Sequence, residues 1–91
     1  MAFTSDSAVS RAKIDLAGRL GIDEDDIQSD VAERDFPDMA LGAAKAGEMA
    51  AQMISSGWQI ELTTYGKTYE YRADKYQLRL YNFDGRNYVV E

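Results

Sequence analysis

The stretch Trp58-Gln59-Ile60-Glu61-Leu62-Thr63-Thr64-Tyr65-Gly66-Lys67-Thr68-Tyr69-Glu70-Tyr71-Arg72-Ala73 decides the fold. On both sides of Tyr65-Gly66, apolar or aromatic residues alternate with polar ones, which is the period of a half-buried strand. Two more turn signals, Asp74-Lys75 and Asp84-Gly85, extend the pattern into an antiparallel meander reaching Glu91. Asp-Gly between alternating runs is a strong hairpin signal, because both central positions of that turn need positive φ. Tyr65 suits such a turn poorly, so a four-residue loop from Thr64 to Lys67 is expected, with no change of register.

The turns then set the pairs. Leu62 should face Tyr69, Ile60 Tyr71, and Trp58 Ala73. Across the second turn Tyr71 should face Leu78, Tyr69 Leu80, and Ala73 Tyr76. Across the third, Leu80 should face Val89. All of these lie on one apolar face, while Gln59–Arg72, Glu70–Arg79 and Thr63–Thr68 lie on the other. A slip of one residue would send the apolar set into water, so the register is strongly specified. Glu61 opposite Glu70 is one unfavourable pair, which Arg72 and Arg79 are placed to offset.

The polar face has an apolar corner. With Tyr81 facing Tyr88, Phe83 facing Arg86 and Val90 facing Arg79, the residues Tyr81, Phe83, Tyr88 and Val90 gather at one edge beside Arg86. Three readings are open: cover by the N-terminal segments, a partner-binding patch, or scattered exposure. Aromatics flanked by an arginine are what interface centres use.

Upstream, Val9, Ala12, Leu16 and Leu20, with Ala17 beside them, repeat at helical spacing over residues 7–20. Asp6 or Ser7 can cap the start, and Gly21 sits where a glycine ends a helix. Asp23-Glu24-Asp25-Asp26 lacks the alternation, central glycine and closing glutamate of a calcium loop, and reads as a capped turn. Ile27 to Phe36 is a weak strand whose charges suit a sheet edge, and Pro37 breaks it. Residues 39–54 are ambiguous. Met39, Ala43, Ala46, Met49, Ala50 and Met53 repeat at helical spacing, but Gly42 and Gly47 weaken a helix. The methionines are either core filler or a pliable groove.

Composition narrows function. Ninety-one residues make one domain, 1–91, with a modest core. The chain has neither cysteine nor histidine. Disulfides, thiolate chemistry and zinc-thiolate sites are therefore excluded, and the commonest general base is missing. No metal site or cofactor is expected. No apolar run spans a membrane, and no basic-then-apolar leader opens the chain, so a cytoplasmic location is expected. The net charge of −6 lies in the first half: residues 1–40 hold ten acids and four bases, and residues 41–91 hold six of each. That balance argues against nucleic-acid binding, which needs clustered Lys and Arg.

The segment Phe36-Pro37-Asp38-Met39-Ala40-Leu41-Gly42, followed by Gly47, Ala51-Gln52, Gly57 and Gly66-Lys67-Thr68-Tyr69-Glu70-Tyr71, resembles a family of small uncharacterised bacterial and cyanobacterial proteins. Their pattern is an aromatic-Pro-Asp-x-x-Leu-Gly-Cys-Pro segment, a glycine, an extended Ala-Gln run, Gly-Tyr and a closing Gly-x-x-Tyr-Glu-Tyr. Asp15 to Ile27 resembles the family's helix and acidic turn. The likeness implies a loop at Leu41–Gly47 and a strand at Met49–Ile54. This chain has Ala43-Ala44 in place of Cys-Pro and Arg72 in place of a histidine, and loss of the proline frees the segment to become helical. A helix followed by a curved sheet also resembles the propeptide-like inhibitor domains of secreted peptidases.

The expected architecture is α+β: an N-terminal helix packed on an antiparallel four- to five-stranded meander. The leading functional expectation is a non-catalytic protein-interaction module (inhibitor, adaptor or accessory subunit). It would act through Tyr81, Phe83, Tyr88, Val90 and Arg86, with the Phe36–Gly42 loop as a second candidate contact. The alternative is a small-ligand site between helix and sheet lined by Trp58, Tyr69, Tyr71 and Tyr76. An enzyme would have to use carboxylates such as Glu61 and Glu70, which are expected on a solvated face that offers little desolvation. An acidic nucleic-acid mimic is a further possibility.

Overall fold

The computed structural model describes residues 2–91. Helix α1 runs Ser5–Leu20. It starts earlier than the apolar stripe suggests because Thr4 caps it: the Thr4 hydroxyl accepts from the Ser7 amide at 3.1 Å, and the Ser7 hydroxyl accepts from the Thr4 amide at 2.8 Å. Two orphan amides are satisfied by this reciprocal box. Gly21, at φ 67°, ends the helix in the left-handed conformation. A 3-10 turn at Glu24–Asp26, capped by the Asp23 carboxylate, leads into the sheet.

Five antiparallel strands follow in sequential order: β1 Gln28–Phe36, β2 Ser55–Thr64, β3 Lys67–Ala73, β4 Leu78–Phe83 and β5 Arg86–Val89. The α+β meander expected from the sequence is the fold. Ala8, Ala12, Leu16 and Ala17 of α1 pack on Ile60, Leu62, Tyr71, Ala73, Leu78 and Leu80, with Ile27 closing one end. Each fully buried large side chain here stabilises the fold by roughly 1.5–3 kcal/mol.

The β2–β3 pairs follow the alternation, including Ile60 opposite Tyr71 and Glu61 opposite Glu70. Three details differ from expectation. Tyr65 does adopt positive φ, 50°, followed by Gly66 at 77°, so the first turn has two residues and Thr64 pairs with Lys67. The Tyr65 hydroxyl donates to Asp26 at 3.1 Å, which anchors the turn.

The second turn is longer than two residues. The Asp74 carboxylate accepts from the amides of Tyr76 and Gln77 at 2.8 and 3.0 Å. It thereby closes a four-residue loop, and the register moves by two. Tyr71 meets Leu80 rather than Leu78, Glu70 meets Tyr81 rather than Arg79, and Arg72 meets Arg79. A shift of two preserves the faces, but Tyr76 leaves the sheet for the exposed loop.

The third correction changes a face. Asp84 and Gly85 make the expected turn, but Asn82 sits at φ 53° in a bulge between Leu80 and Phe83. The bulge adds a residue to β4, so Leu80 meets Tyr88 instead of Val89.

Residues 37–54 are neither the helix nor the Met49–Ile54 strand. They form an irregular strap of turns and extended chain between β1 and β2. Gly57 lies in β2, and a Cβ there would lie 2.1 Å from the Ala73 carbonyl oxygen.

Candidate functional site

The sheet face opposite α1 is polar, and the strap is bonded to it. Arg72 and Arg79 stand directly opposite each other on the two central strands β3 and β4, each with its side chain only 8% exposed. Two like charges at such a position repel unless each has its own partners. Arg72 donates from Nε to Glu70 at 2.6 Å and from Nη1 to the Leu41 carbonyl at 2.9 Å. Arg79 makes a two-pronged contact with Glu48, at 2.5 and 2.7 Å, and also donates to the Ala43 carbonyl at 3.3 Å. The hydrogen bond and charge of Arg79 hold the Glu48 carboxyl at about 2, well below its ordinary 4.5.

Further side chains complete the attachment. Gln77 donates to the Met39 carbonyl at 2.7 Å, and Asn87 to the Ala44 carbonyl at 2.8 Å. Within the strap, the Asp38 carboxylate accepts from the amides of Ala40 and Gly42 at 2.9 and 3.0 Å. Leu41 and Gly42 both take positive φ, and Ala40, Leu41 and Ala43 are buried. A Cβ on Gly42 would lie 2.7 Å from Arg72 Nη1, so glycine is what lets the guanidinium reach the backbone.

The second half of the strap exposes large apolar side chains. Met49 is 97% exposed, Met53 63% and Ile54 74%. The strap thus has a first half, Met39–Ala44, fixed by four donors from β3, β4, β5 and the β3–β4 turn, and a second half that exposes large apolar groups. Sequence reasoning missed Arg72, Arg79, Glu48 and this Met–Ile surface as a unit. The available signals were two arginines on the non-helix face of central strands and an Asp four residues before a glycine.

The expected aromatic patch is not one surface. Tyr81 lies on the strap side, with the Arg72 guanidinium 3.7 Å from its ring centre. The bulge turns Phe83, Tyr88 and Val90 to the helix side, where they pack against the core. Arg19 of α1 lies over the rings of Phe83 and Tyr88, at 5.7 and 4.5 Å. Arg86 stays exposed at the last turn.

Nor do the four proposed pocket residues gather. Tyr71 is fully buried, and its hydroxyl donates to Asp15 at 2.7 Å; burial first, then that hydrogen bond, push its phenol far above the usual tyrosine range. Tyr69 packs on Phe83, with ring centres 5.9 Å apart. Trp58 and Tyr76 line separate shallow depressions, the first beside Glu33 and Lys75, the second beside Phe3 and Glu91. The Phe36–Gly42 segment does the holding: Phe36 is buried beneath Arg34 and Arg72, 5.3 and 5.4 Å from its ring centre.

A family model described as a domain of unknown function, DUF8738, matches residues 9–81. The chain belongs to that family. No curated protein and no solved structure matches it. The span matched to DUF8738 takes in most of α1, the whole strap, β1 to β3, and β4 as far as Tyr81, so the pinning arginines and Glu48 lie inside it. Among the described residues no group of three or more His, Cys, Asp or Glu is placed to hold a metal ion, and no helix is long and apolar enough to cross a membrane.

Proposed function

We propose that this chain is a non-catalytic protein-binding module whose contact segment is the outward side of the strap. The observation that carries the reading is the exposure of Met49, Met53 and Ile54 in the second half of a strap whose first half, Met39–Ala44, is bonded from beneath to Arg72, Arg79, Gln77 and Asn87, and whose Ala51 carbonyl accepts from the Met39 amide at 2.9 Å. Large apolar side chains held out together mark interaction surfaces. Unbranched methionine adapts to a partner's shape. Fixing the backbone in advance lowers the entropy lost on binding, so a short segment can still bind well. The partner is a protein with an apolar cleft, met in a cytoplasmic setting.

Affinity capture on the whole chain from the lysate of its source, followed by titration of the purified partner, tests the reading. Met53→Ser/Ile54→Ser should leave the fold intact and weaken binding by about tenfold or more. Equal affinity for the variant and the native chain would rule out the strap as the contact.

A further inference from the structure

We propose that two copies of this chain join edge to edge, β1 pairing antiparallel with β1 of the second copy about a two-fold axis through Ala32. The joined sheets would be continuous, with both α1 helices on one face.

Strand β1 is a sheet edge nine residues long, and every residue in it except Phe36 is exposed. Its pairing with β2 is unbroken from Gln28 to Phe36, with no bulge to twist the edge away and no proline inside it. Proteins usually shield such an edge, commonly with charge. Here the charges favour one register by attraction and disfavour several others.

In an antiparallel pairing related by a two-fold axis, one residue faces its own copy and the others face each other symmetrically around it. Centring on Asp30 opposes two aspartates, centring on Glu33 opposes two glutamates, and centring on Arg34 opposes two arginines. Centring on Val31 opposes no like charges but forms no ion pair. Centring on Ala32 places Asp30 opposite Arg34 of the second copy, and Arg34 opposite its Asp30. A small residue sits on the axis, and no like charges face each other. Paired residues across strands interact directly, so attraction selects this register over the Val31-centred one, and repulsion disfavours those centred on Asp30, Glu33 and Arg34.

The single copy leaves Asp30 poorly placed. Its neighbour on β2 is Glu61, and Glu61 in turn faces Glu70 on β3, a row of three carboxylates across the sheet. Glu70 has Arg72, whereas Asp30 has no ion pair among the described residues. Arg34 donates to Gln59 and lies 3.9 Å from Glu70, and its side chain is 43% exposed. A second copy would bring that exposed guanidinium to the uncompensated end of the row.

Sedimentation of the full chain from micromolar to millimolar concentration tests the proposal. The native chain should show a reversible dimer. Asp30→Arg sets two cations opposite each other at both ends and should weaken the dimer by about tenfold or more. The exchange Asp30→Arg/Arg34→Asp restores both pairs and should restore the dimer. Ala32→Cys, in a chain with no other cysteine, should oxidise to a covalent dimer, and Gln28→Cys should not. A native chain that stays monomeric throughout overturns the proposal. So does a dimer indifferent to Asp30→Arg, one that the double exchange fails to restore, or the reverse pattern of cross-linking. These outcomes do not depend on the strap, whose variants lie on a different part of the surface.

Discussion

The guanidinium of Arg72 lies 3.7 Å from the centre of the Tyr81 ring while its Nη1 holds the Leu41 carbonyl. Tyr81 therefore acts through Arg72, fixing the plane of the group that pins the strap. Stacking of this kind, half removed from water, contributes about 1 kcal/mol. Tyr81→Leu should lower the stability read from urea unfolding by about that amount. Tyr81→Phe keeps the ring and should leave the unfolding midpoint unchanged.

Arg79 and Glu48 form the second anchor, and they carry a pH signature. Glu48 titrates at about 2 in the folded chain and at its ordinary 4.5 when unpaired. Its folded value is depressed, so the stabilisation is fully present above about 4.5 and is lost as pH falls through about 2. Acid unfolding followed by circular dichroism should show this loss for the native chain. Glu48→Gln should be less stable at neutral pH and should converge with the native chain at the acid end.

Arg79→Ala is the harsher test of the same anchor. It strips Glu48 and the Ala43 carbonyl of their donor while opening space beneath the strap. Removal of one partner of a buried charged pair costs about 3–5 kcal/mol, and partial exposure of Glu48 places the expected loss near the lower figure. The strap should open before the helix-facing core does, which amide exchange at Ala40, Gly42 and Ala43 would register as loss of protection.

Gly42→Ala combines positive φ with a Cβ 2.7 Å from Arg72 Nη1. The two effects together should cost about 1–3 kcal/mol in chemical unfolding. Gly85→Ala shares the positive φ but has open space around it, and should cost about 1 kcal/mol. The difference between the two isolates the steric requirement of the arginine.

Asn87 ties two irregular features together: its Oδ1 accepts from the Asn82 amide in the bulge at 2.8 Å, and its Nδ2 donates to the Ala44 carbonyl. Asn87→Asp keeps the first bond and loses the second, at about 1 kcal/mol by urea unfolding. Asn87→Ala loses both and should cost about twice as much.

The helix, the two-sided sheet and the β2–β3 register were legible because each rests on periodicity. Ala12 and Leu16 repeat with the helix, and Ile60, Leu62, Tyr69 and Tyr71 alternate with the strand. The later registers rest on single side chains instead. Asp74 closes a four-residue turn where its sequence reads equally as two, and Asn82 takes a left-handed conformation that asparagine tolerates without signalling it. That one bulge separates Tyr81 from Phe83 and Tyr88, and the aromatic patch built on uniform alternation divides with it. The strap hid for another reason. The spacing of Ala43, Ala46, Met49 and Met53 imitates a helix, while the bonds that hold Met39–Ala44 in its irregular path come from Arg72, Gln77, Arg79 and Asn87, far along the chain.

That distance orders events in time. The strap emerges from synthesis ahead of every side chain that will fasten it, since Leu41 awaits a donor 31 residues later and Ala43 one 36 residues later. Contacts so separated form late, after the loops between them have closed. Until β3 and β4 exist as a hairpin, the Met39–Ala44 backbone has none of these donors, and the apolar Met49–Ile54 segment that follows it hangs from an unfastened chain.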